Sequence, residues 1–104
     1  MRLFIKSKKL DVDACAEYDV GSKQFTVKKG SRVSSRISDS KTFRGAKTIE
    51  NHRSKVVIDR LVVEDITFKS PSTAANFVLG TSSNGLVTWK DESNIALKDL
   101  LKEE

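Results

Sequence analysis

Val12-Asp13-Ala14-Cys15-Ala16-Glu17-Tyr18-Asp19-Val20 alternates between two kinds of side chain without a break. Successive side chains of a strand point to opposite faces. Val12, Ala14, Ala16, Tyr18 and Val20 therefore share an inward face, and Asp13, Cys15, Glu17 and Asp19 the other. Gly21-Ser22-Lys23 is a turn, and Gln24 to Lys28 resumes the alternation with Phe25 and Val27 inward. The two segments predict an antiparallel hairpin. Leu3 to Ile5 predicts a strand before it. Val33, Ser35 and Ile37 either continue the sheet or belong to an irregular basic loop.

Helix signals follow. Thr48 is placed to cap a helix in which Ile49, Val56 and Arg60 fall near one face, although the β-branched run Val56-Val57-Ile58 opposes helix. Leu61 to Val63 and Ile66 to Phe68 read as extended. Ser70-Pro71-Ser72 opens a helix: Ser70 can accept from a free first-turn amide, and Pro71 suits a position that needs no N–H. Ala74, Ala75, Val78 and Leu79 form its apolar stripe, and Gly80 can take the left-handed C-terminal conformation. Asn84-Gly85 reads as a tight turn, Leu86 to Trp89 as a strand, and Ile95 to Leu101 as a short helix. The expected architecture is α+β: an antiparallel sheet with about three helices packed on it, in one small domain of 104 residues.

The chain carries 19 Lys+Arg against 14 Asp+Glu, a net charge of +5. Residues 1–60 hold 15 bases and 7 acids, a net of +8; residues 61–104 hold 4 and 7, a net of −3. Between Lys23 and Lys47, eight cations face the single acid Asp39. Clustered cations attract polyanions, nucleic acid above all. No apolar run approaches the ~20 residues of a membrane span, and no signal peptide is visible, so a cytoplasmic protein with no membrane partner is expected. One cysteine excludes an internal disulfide, and one histidine leaves no histidine-rich metal site.

The candidate contacts form two groups. Lys28, Lys29 and Arg32 surround Gly30-Ser31, and with Arg36 and Arg44 they make a phosphate-binding patch; the bland alternative is protection of an edge strand. Ser72, in the first turn of a helix, can meet a phosphate, whereas Ser70 and Pro71 are explained by capping. Ser82, Ser83 and Asn84 lie in a polar loop able to reach base edges or backbone, or else to satisfy its own turn. Trp89, Phe68 and Tyr18 are expected in the core. His52 and Cys15 lack a motif for hydrolysis or metal binding, and acids around Cys15 disfavour its thiolate. No catalytic residue, metal or cofactor is expected.

The stretch Phe68 to Lys90 reads F-K-S-P-S-T-A-A-N-F-V-L-G-T-S-S-N-G-L-V-T-W-K. It resembles a bacterial domain-of-unknown-function family with the signature S-P-S-x-A-A-x-x-V-L-G-x-S-x-N-G-x-x-x-W-K. That family is known as an accessory domain, often C-terminal in larger proteins, some with GIY-YIG nuclease domains. The signature is also similar to that of RAMA (restriction enzyme adenine methylase associated) domains, which implies DNA as the partner, with methylated bases as a further step. The resemblance covers roughly residues 12–101, with Thr81 where the family often has Arg and Leu86 where it often has Trp. The chain is expected to be either a free-standing version or an excised piece. The leading expectation is a non-enzymatic nucleic-acid-binding accessory domain, DNA first, associated with restriction–modification. The alternative is a protein-interaction or structural adaptor.

Overall fold

Strict alternation becomes a sheet with one apolar face in the computed structural model, which describes residues 1–35, 37 and 46–102. β1 (Arg2–Ser7), β2 (Val12–Asp19) and β3 (Gln24–Val27) form an antiparallel meander. After α1 (Ala46–Val56), the short strands β4 (Val57–Ile58) and β5 (Leu61–Val62) make a separate hairpin. β6 (Ile66–Phe68) then joins β3, giving the order β1-β2-β3-β6. Phe68 lies opposite Phe25, so β6 ends beside the β2–β3 turn. α2 (Pro71–Leu79), the single turn α3 (Gly85–Thr88) and α4 (Leu97–Lys102) complete the described chain. The fold is α+β, as the patterning predicts.

Leu3, Ile5, Val12, Ala14, Ala16, Phe25, Val27 and Phe68 are buried on the inner sheet face. α2 lies on this face through Ala74, Ala75, Phe77 and Val78, all fully buried. The alanines allow close approach of the helix, and Phe77 meets Phe68 with ring centres 5.2 Å apart. Tyr18, Phe25 and Trp89 form a second aromatic run, at 5.5 and 4.8 Å. Burying each large apolar side chain contributes roughly 1.5–3 kcal/mol.

The expected signals at α2 act as read. Ser70 Oγ accepts from the Thr73 amide, Pro71 occupies the first turn, and Gly80 takes φ 75°. The C-terminal end holds a device that local sequence does not announce. The last four carbonyls of a helix lack intrahelical donors. Here Asn76 O accepts from the Gly80 amide at 2.8 Å, and Val78 O from the Ser34 amide at 2.8 Å. Leu79 O accepts from Ser34 Oγ at 2.8 Å. Phe77 O accepts from Arg53 Nε and Nη2 at 3.0 and 2.8 Å. Arg53 also donates to Ser34 O and Oγ, which ties α1, α2 and the segment after Arg32 together. Burial lowers the Arg53 pKa to about 10, which leaves it charged at neutral pH.

Three expectations are corrected. Leu86 to Trp89 is a helical turn rather than a strand, which raises the helix number to four among the described residues. Asn84 caps this turn by accepting from the Leu86 amide, and Gly85 and Trp89, four residues apart, are its buried pair. α1 begins before Thr48 and stops at Val56, where the β-branched run turns extended; Arg60 then falls in the β4–β5 turn. β3 is an interior strand, so lysines after it do not protect an edge.

Replacing Arg53 with Met would leave the Phe77 carbonyl without its donors. A loss of about 2–4 kcal/mol in denaturant unfolding is expected. An unchanged midpoint would show that water replaces Arg53 without cost. His52 packs edge-on against Phe68 at 5.1 Å, and burial followed by nearby Lys55 pushes its pKa below the ordinary 6.5. The unfolded chain then takes up this proton at higher pH than the folded chain does. The stability that neutral His52 allows is fully present above 6.5 and is lost as pH falls below it. His52→Gln should flatten part of the stability loss between about pH 7 and pH 5. Parallel curves for the two proteins would contradict this.

Candidate functional site

The polar residues of the Ser70–Lys90 stretch turn largely toward one another. Ser72 Oγ accepts from the Gly85 amide at 3.0 Å. Trp89 Nε1 donates to Pro71 O at 3.0 Å. Asn76 Oδ1 accepts from the Ser83 amide at 2.8 Å, and Ser83 Oγ donates to Thr81 O at 3.2 Å. Gly85 is pressed against the first turn of α2: a Cβ there would stand 2.3 Å from the Pro71 carbonyl carbon and 2.5 Å from the Ser72 nitrogen. Only glycine allows that approach. Ser82 and Asn84 are exposed on the same loop, with the Asn84 side chain engaged in its cap.

The cations lie elsewhere. Lys28 pairs with Asp65 at 2.8 Å, and the Lys29 amide donates to the other oxygen of that carboxylate at 2.8 Å. Their side-chain hydrogen bond raises the Lys28 pKa and lowers that of Asp65, the Lys29 amide adding to the latter. The Lys29 side chain is in no ion pair among the described residues. Arg32 bridges the two sheets, pairing with Asp13 of β2 and Leu61 of β5. Its guanidinium pairs with Asp11 at 3.1 Å. Arg36 and Arg44 lie outside the described residues.

α2 separates these groups. Ser72 and Gly85 meet at its N-terminal end, near the β2–β3 turn. Its C-terminal end bonds to Ser34, two residues after Arg32. Lys28, opposite Cys15, and Arg32, opposite Asp13, lie toward that second end. The two sets of expected contacts therefore do not form one cluster.

Concave surface gathers instead around the turn between β1 and β2. A groove of about 670 Å³ runs between β1, the end of α2, α3 and the following loop, lined by Phe4, Lys6, Leu10, Leu79, Val87, Lys90, Asp91 and Glu92 among others. A second, of about 400 Å³, has Lys9, Leu10, Asp11, Ser34, Ser35, Arg60, Leu79 and Thr81 on its walls. A third, of about 370 Å³, is lined by Lys6, Ser7, Lys8, Asp11, Val12, Asp13 and Arg32. The first groove shares Leu10 and Leu79 with the second and Lys6 and Ser7 with the third, and the second shares Asp11 with the third, so they adjoin. Six cations line them: Lys6, Lys8, Lys9, Arg32, Arg60 and Lys90. Asp11 is taken up by Arg32 and Arg60, whereas Lys6, Lys8 and Lys9 are in no ion pair among the described residues. Thr81, where the polar loop begins, reaches the second groove, so the basic front half and the later motif touch there.

Sequence reading passed over Lys6, Lys8, Lys9 and Arg60. Lys6, Lys8 and Lys9 were detectable as three cations within four residues at a strand end. Arg60 was not, because its partners Asp11 and Leu10 lie about fifty residues away. Cys15 is half-buried, and burial is the main cause that raises its thiol pKa, with Glu17 and Asp13 adding to it. Among the described residues no group of acidic, histidine and cysteine side chains could hold a metal ion. No described helix is long and apolar enough to cross a membrane.

Residues 3–101 match the family described as "Domain of unknown function (DUF4357)", and the chain belongs to that family. No curated protein and no solved structure matches it.

Gly85→Ala would force a Cβ into the Pro71 backbone, which has no flexible end to yield. About 3 kcal/mol or more should be lost in thermal or chemical unfolding. Gly21→Ala, whose Cβ would meet only the Asp19 side chain at 3.4 Å, should stay within about 1 kcal/mol of wild type. Equal losses at both glycines would refute the close-approach account.

Proposed function

We propose that this chain is a non-enzymatic nucleic-acid-binding accessory domain, with DNA as the first candidate, that docks through the grooved surface around the β1–β2 turn. The observation that carries the reading is the set of cations there: six line adjoining grooves against the four acids Asp11, Asp13, Asp91 and Glu92, and Lys6, Lys8 and Lys9 are in no ion pair among the described residues. Cations in that state are available to neutralise phosphates and release counterions. Lys29 and the sequence-predicted Arg36 and Arg44 extend the same chemistry. Arg32 contributes charge at the rim while its guanidinium holds Asp11. Ser72, Ser83 and Asn84 act in this reading mainly by shaping the fold, and Ser82 remains an exposed contact.

The resemblance to RAMA domains and to C-terminal domains of GIY-YIG nuclease proteins supports DNA and a place beside restriction–modification enzymes. A binding role agrees with the chemistry of the two residues best suited to catalysis. His52 is turned onto Phe68 and Phe77, and Cys15 is held toward its protonated form. A second reading, a protein-interaction adaptor, is favoured by the apolar part of the first groove, where Leu10 and Val87 are more than a third exposed.

Titration of duplex DNA with the full chain at several salt concentrations separates the two. Affinity should fall steeply with salt. Reversing Lys6 and Lys9 to Glu should weaken binding by about tenfold or more near ~0.1 M salt. Reversing Lys98 and Lys102 on α4, an equal change in net charge, should alter it by about twofold at most. Equal effects of the two pairs, or no binding at low salt, would refute the reading.

A further inference from the structure

The β1–β2 turn is exposed and at the same time held by more bonds than a four-residue turn needs. The Asp11 amide donates to Lys8 O at 3.3 Å, and Ser7 Oγ accepts from the Leu10 amide at 3.2 Å. Arg60 Nη2 donates to Leu10 O and Asp11 O at 3.3 and 2.9 Å, and Arg32 Nε donates to Asp11 O at 3.1 Å. Both guanidinium groups also pair with the Asp11 carboxylate at 3.1 Å. Two arginines from distant segments thus fix the backbone of this tip.

What they fix is an apolar residue that follows two lysines in the turn. Leu10 is 42% exposed although its backbone is clamped. A single exposed leucine is ordinary. A leucine held on a rigid tip beside two lysines without ion pairs is an arrangement suited to a target that is anionic outside and apolar within. Lys8 lines the third groove and Lys9 the second, while Leu10 lines the first and the second. A rigid tip also avoids the ordering cost of a mobile loop on binding.

We propose that the Lys8-Lys9-Leu10 tip is a wedge for the minor groove of duplex DNA: the two lysines contact phosphates on the two sides of the groove, and Leu10 inserts at a base step. The minor groove, about 6 Å wide, admits side chains but not a ribbon of strands. The turn here is four residues long and exposed, and Asp13 just beyond it is bridged to Arg32. Apolar wedges in this groove unstack a step and bend the duplex. Arg32 and Arg60 are positioning residues for the tip. This inference rests on the nucleic-acid reading and assigns it a binding element and a form of nucleic acid.

The test uses the full chain with a duplex of roughly 25 base pairs carrying a fluorophore at each end. Anisotropy gives affinity, and energy transfer between the ends gives bending. Wild type should raise the transfer on saturation. Leu10→Ala should lower affinity on the order of tenfold and leave transfer at the free-duplex value. Lys8→Gln with Lys9→Gln should reduce the slope of log affinity against log salt by about two. All three side chains are exposed, and matching melting curves will show that the variants fold. Bending by Leu10→Ala equal to wild type, or an unchanged salt slope in the lysine pair, overturns the wedge while salt-dependent binding keeps the broader reading. Equal affinity for duplex RNA also overturns the wedge alone, because its minor groove is wide and shallow. A wild-type chain that binds no duplex at ~0.05 M salt overturns both.

Discussion

A helix that ends in the core has to find donors for its last carbonyls inside the protein, and α2 meets this constraint with its own cap and groups drawn from two other segments. Phe77 and Val78 are fully buried at the helix end, and Asn76 and Leu79 are half-buried. Gly80 supplies one amide, Ser34 an amide and a hydroxyl, and Arg53 a forked cation. An unpaired buried carbonyl costs about 1–3 kcal/mol, so leaving several open would consume much of a small domain's stability. The cation also lies at the negative end of the helix dipole, where charge of that sign is favoured. α1 is therefore held to α2 by Arg53 and by His52 against Phe77, with Ile49 and Val56 as its buried apolar residues.

The opposite end of α2 is fixed by shape. Gly85 lets α3 touch the first turn, Ser72 takes the amide that this approach buries, and Trp89 reaches Pro71 with its ring against Phe25. These are the residues that give the stretch its distinctive pattern. Their spacing is explained by the clasp itself, without a ligand. The consequence for function is a shift in place, because polar groups that satisfy one another have less to offer a partner. Lysines around the β1–β2 turn are not engaged in that way.

The sheet was legible because the inner face is apolar and the outer face mostly polar along two consecutive strands, so alternation from Val12 to Val27 reports burial directly. α2 was legible because Ser70, Pro71 and Gly80 act locally. Leu86 to Trp89 misled because only Trp89 of the four is buried; Leu86 and Val87 are both exposed, so an apolar run did not mark a strand. Charge excess in the front half was visible as a count, but the use of each cation was not. Lys28 finds Asp65 thirty-seven residues on, and Arg32 finds Asp11 twenty-one residues back. Pairings across such separations follow from topology, and no local spacing encodes them.

Arg60 shows how the two hairpins depend on each other. Asp59 and Arg60, at φ 50° and 69°, form the two-residue β4–β5 turn in the left-handed region. Asparagine or glycine usually occupies such positions, and another residue there costs on the order of 1 kcal/mol. What the arginine returns is non-local: bonds to Val33 O, Leu10 O and Asp11 O, together with the Asp11 ion pair. Glycine would ease the β4–β5 turn and leave the β1–β2 tip to Arg32 alone. Strain in one hairpin is thus the means by which the other is held still. The clamp joins the two hairpins and at the same time holds the exposed Lys8, Lys9 and Leu10 at one place on the surface, which is the structural reason to look for a partner there.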